Sequence, residues 1–217
     1  TANNVSYQFP DPVFAAVVLS NVLSPIEDVI DVDFVYAGHY GNVTDSTANI
    51  TYTFSDGLLS SLMFPPGALA QAVFPFAPHG DDFSILMTGS TTGYAYAEGD
   101  VWLNRPAMVT SGYMNLWDGA AGKFVLLHET GHALGLKHPH DGGGSNRPTF
   151  TDIGLSLTRQ IEFNQGDLFD VDAFTMMSYN DDVSWNTWEG DPATLMPLDV
   201  LALQALYGPN PRTNAGD

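Results

Sequence analysis

Residues 128–138 read HETGHALGLKH, and three of the chain's six histidines fall within them. His128 and His132 are four apart, so on a helix their imidazoles stack on one face, one turn from each other. Two neutral imidazoles placed this way can grip a divalent metal, and zinc accepts nitrogen ligands in a tetrahedral arrangement. Glu129 directly follows His128. Its carboxylate projects beside the metal without needing to bind it, and can take a proton from a water held there and return it to a leaving amine. A third ligand on the same helix would stand seven or eight residues on, yet His138 comes six after His132. Gly135 answers this. A residue free to take positive φ can turn the chain sharply and bring His138 to the metal. Three histidines with a fourth position open describe a catalytic rather than a structural zinc site.

Outward from this stretch, Asp118 is the expected cap of a helix running through about Leu134, with Phe124, Leu127 and Leu134 near its apolar side. Upstream, Val5–Phe9, Val29–Val35 and Asn49–Phe54 alternate as half-buried strands do, and Asp100–Asn104 is a further short strand. Asp11-Pro12 opens a helix whose stripe is Phe14, Val17, Val18 and Val22, and Pro25 should stop it. Ala70–Phe76 and Gly93–Ala97 are further candidate strands, the first suited to an edge by its proline. Downstream, Pro197 starts a last helix with Leu198, Leu201, Ala202 and Ala205 on one stripe, and Gly208-Pro209 ends it.

Composition narrows the partners. A formal net charge of −19, from 25 acids against six Lys plus Arg, argues against nucleic acid as a partner, because phosphate binding needs clustered cations, and equally against anionic membranes. The absence of cysteine rules out thiolate catalysis, Cys-ligated zinc and disulfides. No run of apolar residues is long enough to span a membrane. No signal peptide opens the chain, so a mature or trimmed form is expected. At 217 residues without internal repeats, a single domain is expected over 1–217.

The pattern HExxHxxGxxH is the metzincin signature, and TMMSY at 175–179 supplies the methionine turn that goes with it. The chain resembles the serralysin branch of the metzincins, which are exported bacterial zinc endopeptidases. His138-Pro139, the MSY of the turn, DVWLN and LDVLALQALYGPN carry this resemblance, which extends from about Val29 to Asn210. It implies an α+β fold: a twisted, mixed five-stranded sheet with two long helices, a zinc cleft, and a small C-terminal lobe with the Met-turn and final helix. The upper lobe would cover about 1–138 and the lower about 139–217.

The resemblance also assigns roles. His128, His132 and His138 would hold Zn2+, with Glu129 the general base. Gly135 would make the turn, and Met177 the hydrophobic floor beneath the metal. Tyr179 matches a tyrosine that can ligate zinc and swing away to hydrogen-bond the oxyanion; an ordinary core tyrosine is the plainer reading. Asp199 either supports the Met-turn or simply complements a helix N-terminus. An antiparallel edge strand should bind extended peptides, best matched by Ala70, Gln71, Ala72, Val73 and Phe74, with Gly93–Ala97 as rival.

The C-terminal calcium repeats of the branch are missing, which leaves either a catalytic domain from a longer protein or a compact relative. The acidic loops Asp81-Asp82, Asp167–Asp172 and Asp181-Asp182 make Ca2+ a second candidate ion. His140 could compete with His138, though the glycine offset favours His138. The expected function is a secreted, monomeric zinc endopeptidase acting on internal bonds of extended polypeptides. The alternative is a non-catalytic binding or adhesion module that retains the fold, and a non-peptide zinc hydrolase is a third reading.

Overall fold

A computed structural model of the chain describes residues 3–9, 11–40, 48–55, 64, 66–72, 99–112, 114–141, 149, 169–180 and 190–212. Among them, five strands form one sheet in the order β2-β1-β3-β5-β4. Strand β1 (Asn3–Phe9) lies between β2 (Val32–His39) and β3 (Ile50–Ser55), parallel to both. Strand β5 (Val101–Asn104) continues the parallel set beside β3. Strand β4 (Ala70–Ala72) closes the edge antiparallel to β5, pairing Ala70 with Leu103 and Ala72 with Val101. The sheet is therefore mixed and five-stranded, as expected. Gly93–Ala97, Val73 and Phe74 lie outside the described residues.

The first helical run differs from expectation. Asp11 caps it by accepting from the Val13 N–H at 2.8 Å, and helix α1 spans Pro12–Val18. Pro25 does not stop it. A π-helical turn, Leu19–Leu23, follows, in which the Ser24 N–H reaches back five residues to Leu19 O, and helix α2 (Ser24–Glu27) continues. A proline removes one intrahelical donor and presses its ring on the preceding turn. The wider π turn takes up that crowding, and Val18, Val22, Leu23 and Ile26 stay buried along the run.

Strand β2 starts three residues later than the alternation suggests. Residues 28–31 make the turn after α2 instead, where the Asp31 N–H donates to Gly208 O and the Ile30 N–H to Ile26 O. Helix α3 (Arg105–Thr110) was not legible as a helix. Asn104 caps it by accepting from the Ala107 N–H at 3.3 Å, and Pro106 sits in its first turn.

Helix α4 (Ala121–Ala133) packs against β4, β5 and the π turn. It begins three residues after Asp118, which does not cap it; Asp118 instead pairs with the buried ammonium of Lys123. So the two long helices of the expectation become one of 13 residues and one interrupted run.

The last helix, α5 (Pro197–Tyr207), starts and ends where the sequence indicates. It is tied to the turn before β2 and to the end of α4. Gln204 Nε2 donates to Val29 O at 2.9 Å, and the Tyr207 hydroxyl to Leu134 O at 2.9 Å.

The core between sheet and helices is aromatic at its centre. Phe9 stacks on Tyr52 at 4.8 Å between centroids, with Phe14 edge-on to Phe9 at 5.1 Å. No helix among the described residues is long and apolar enough to cross a membrane.

Candidate metal centre

The end of α4 is fixed by the backbone before any side chain acts. The Gly135 N–H donates to His132 O, and the Leu136 N–H reaches back to Gly131 O, both at 2.9 Å. With Gly135 at φ 104°, this is the paired-bond helix terminator that requires a left-handed residue. It reverses the chain and carries His138 beside the two helical histidines. Gly135→Ala is expected to cost about 1–2 kcal/mol, the usual penalty for a Cβ in this conformation. Its urea midpoint should fall, and its zinc affinity should fall with it as His138 shifts.

The three imidazoles converge through their Nε2 atoms. His138 Nε2 lies 3.1 Å from His128 Nε2 and 3.1 Å from His132 Nε2. Ligands about 2.0–2.1 Å from a tetrahedral zinc stand roughly 3.3–3.4 Å apart, so the spacing fits one ion. Each ring is held from behind at Nδ1. His128 Nδ1 faces Met176 O, His132 Nδ1 faces Leu136 O, and His138 Nδ1 faces Asp141 Oδ2, all at 2.7 Å. An acceptor at each Nδ1 puts the proton there and leaves each Nε2 lone pair free for a cation. Burial pushes the His128 pKa down to about 4 and that of His132 to about 3, so both rings are neutral at physiological pH. Burial lowers His138 as well, against the pull of Asp141.

Glu129 is buried next to this group. One carboxylate oxygen accepts from the Ala72 N–H of edge strand β4, while Oε2 is buried without a hydrogen-bond partner. Burial pushes its pKa up to about 8, against that single backbone donor. Thr130 fastens the same turn to the sheet. Its hydroxyl donates to Leu126 O at 2.6 Å, leaving the Tyr52 hydroxyl to donate to Thr130 Oγ1 at 2.9 Å.

The loop 175–179 lies under α4. A Cβ on Gly131 would stand 2.7 Å from Met176 Cε and 2.9 Å from Met177 Sδ, so the glycine inside the HETGH pattern is what lets both methionines approach the helix. The sequence reading gave Gly131 no role. Met176 supplies the carbonyl behind His128, and Met177 is buried beside it.

Asp199 is bonded both to residues 175–176 and to the start of α5. It accepts from Thr175 Oγ1 at 2.6 Å and the Met176 N–H at 2.8 Å, and also from the Met196 N–H at 3.0 Å at the start of α5. Asp199→Ala would strand two buried donors and one half-buried one, and is expected to cost about 3 kcal/mol. Its unfolding midpoint should drop, and zinc should bind more weakly as the Met176 carbonyl loses its support.

Tyr179 is not a core residue. It is 68% exposed, with its ring 4.4 Å from that of His138 and 5.7 Å from that of His128. His140 does not join the three converging nitrogens; its Nδ1 faces Asp170 Oδ2 at 3.2 Å. Among the described residues the groups able to hold a metal are His128–His132–His138 and the overlapping His138–His140–Asp141, and neither has the several carboxylates calcium needs. Asp81, Asp82, Asp167, Asp181 and Asp182 lie outside the described residues.

Serralysin C of Dickeya chrysanthemi is 36% identical over 100 residues, 44% of this chain and 18% of that protein. Metalloprotease AprA of Pseudomonas entomophila is 31% identical over 172 residues, 69% of this chain and 32% of that protein. This chain is a distant serralysin-like metzincin. No family model matches it. The crystal structure of myroilysin overlaps 97% of this chain and 84% of its own at 13% identity, with a TM-score of 0.45, too loose to carry an argument. The serralysin-like chain matches a third or less of the length of these relatives. Its His128, His132 and His138 suit zinc by donor type and by spacing.

Proposed function

We propose that this chain hydrolyses internal peptide bonds of extended polypeptides as a zinc-dependent endopeptidase. The observation that carries the reading is the convergence of three Nε2 atoms, each ring backed at Nδ1, beside a buried glutamate with one oxygen unpartnered. Zinc held there supplies a Lewis acid that polarises a carbonyl and acidifies a water.

The chain's own groups do the rest. Glu129, steadied by the Ala72 N–H, takes a proton from the attacking water through Oε2 and returns it to the leaving amine. Burial raises its pKa in the metal-free chain, and a dication held by the histidines would favour the carboxylate form that accepts the proton. Tyr179, exposed beside His128 and His138, donates to the developing oxyanion and can also ligate the metal. Met177 forms the apolar floor. Edge strand β4, with Ala70, Gln71 and Ala72, offers backbone groups to an extended substrate, and Val73 and Phe74 would continue it. Glu129 thus bonds to the strand that aligns the substrate. The same reading makes the protein exported, bacterial and monomeric, with an upper lobe to about His138 and a lower lobe after it.

The test is cleavage of unfolded casein, with a chelator in a paired tube and metal content measured on the same sample. Chelator-sensitive cleavage at about one zinc per chain is expected. Bound zinc with no cleavage would refute the peptidase and favour the binding module.

A further inference from the structure

Asp170 has no place in the reaction above, yet it is 6% exposed and fully engaged. Its Oδ1 accepts from Ser178 Oγ at 2.7 Å, and its backbone oxygen from Asn180 Nδ2 at 2.9 Å. Ser178 Oγ accepts in turn from the Asn180 N–H at 2.9 Å. Tyr179 therefore sits between two residues that are both fastened to Asp170. The remaining oxygen, Oδ2, faces His140 Nδ1. The His140 ring is stacked on that of His138, 5.2 Å between centroids with 4° between planes, and lies 5.3 Å from the ring of Tyr179.

We propose that His140 and Asp170 form a positioning pair, which ties the turn carrying His138 to the loop carrying Tyr179 and so sets both relative to the metal. The proposal rests on the zinc reading above. An exposed His–Asp contact would be worth little. Here the carboxylate is buried, so losing the His140 donor leaves a buried charged oxygen short of a partner, and the loop must shift to compensate. The displacement falls on the residue between Ser178 and Asn180, and on the ring against which His140 is stacked. Partners one layer behind metal ligands act in this way on affinity and geometry.

Three substitutions separate the bond from the stack. His140→Ala removes both. His140→Phe keeps an aromatic ring on His138 but donates nothing to Asp170. His140→Asn can donate from its amide near the Nδ1 position. Zinc affinity is measured by competition with a chelator of known strength, and ligand geometry by the visible spectrum of the Co2+-substituted protein. His140→Ala and His140→Phe should each weaken zinc binding about 10-fold and shift the cobalt bands, while His140→Asn should restore most of both. Wild-type affinity and spectrum in His140→Ala, a silent His140→Phe, or an Asn variant as impaired as Ala would each overturn the pair. A wild-type chain that binds no zinc would instead sink the zinc reading itself, and this proposal with it.

Discussion

Glu129→Gln is expected to lower kcat on a peptide substrate by about 10²–10⁴-fold while zinc remains bound. Glutamine keeps the shape of the side chain, and its carbonyl can still accept from the Ala72 N–H. What it loses is the ability to take a proton at Oε2, so KM should change little. Metal content and kcat measured together decide the matter; a variant with full zinc and near-native kcat would remove Glu129 from the reaction. The substitution should also show in the metal-free protein. Burial raises the folded pKa of Glu129 from its ordinary value to about 8. Between the two values the folded state binds more protons than the unfolded one, so stability is lost as pH rises through that window. Glutamine has no such loss. The metal-free variant should therefore melt above the metal-free wild type at pH 9, and the gap should close at pH 4.

Acid should strip the metal and unfold the protein over a window that opens at the ordinary histidine pKa and extends well below it. His128 and His132 have folded pKa values of about 4 and about 3, depressed by burial. The unfolded chain takes up protons on both near pH 6.5. Between pH 6.5 and these values the unfolded state binds more protons, so stability falls as pH falls, by roughly 3–5 kcal/mol for each ring once the window is crossed. The metal competes with the same protons at Nε2. Retained zinc followed from pH 7 to pH 3 should thus hold near pH 5 and collapse toward pH 4–3. Loss centred at pH 6.5 would mean that the rings are solvated rather than buried.

The convergence of the three histidines could be read in sequence because its geometry is local. His128 and His132 share a helix face by period alone, and Gly135 announces the reversal that brings His138 round, with φ 104° meeting the need. Strand alternation located three of the five strands to within a few residues, Asp100–Asn104 marked a fourth, and Ala70 correctly opened the edge strand. Errors gathered where one residue type admits two outcomes. Pro25 ends many helices, but here a π turn makes room for it because the buried stripe continues to Ile26. Asp118 has the composition of a cap, yet its carboxylate is taken by Lys123. Helix α3 is six residues long, too short for a periodic signal to stand out.

By itself, then, the sequence determined which atoms could meet a metal, since spacing on one helix and a single glycine turn need no information from elsewhere in the chain. Only the tertiary structure decided how those atoms are held. The Met176 carbonyl behind His128 is 48 residues away in sequence, and the Ala72 N–H on Glu129 comes from the far edge of the sheet. The closeness of Met176 and Met177 to Gly131, the three donors on Asp199 and the ties around Asp170 are likewise contacts between separate segments. Such contacts follow from packing, in which each buried polar atom must find a partner brought to it by the fold, and no periodicity in the chain encodes which partner that is.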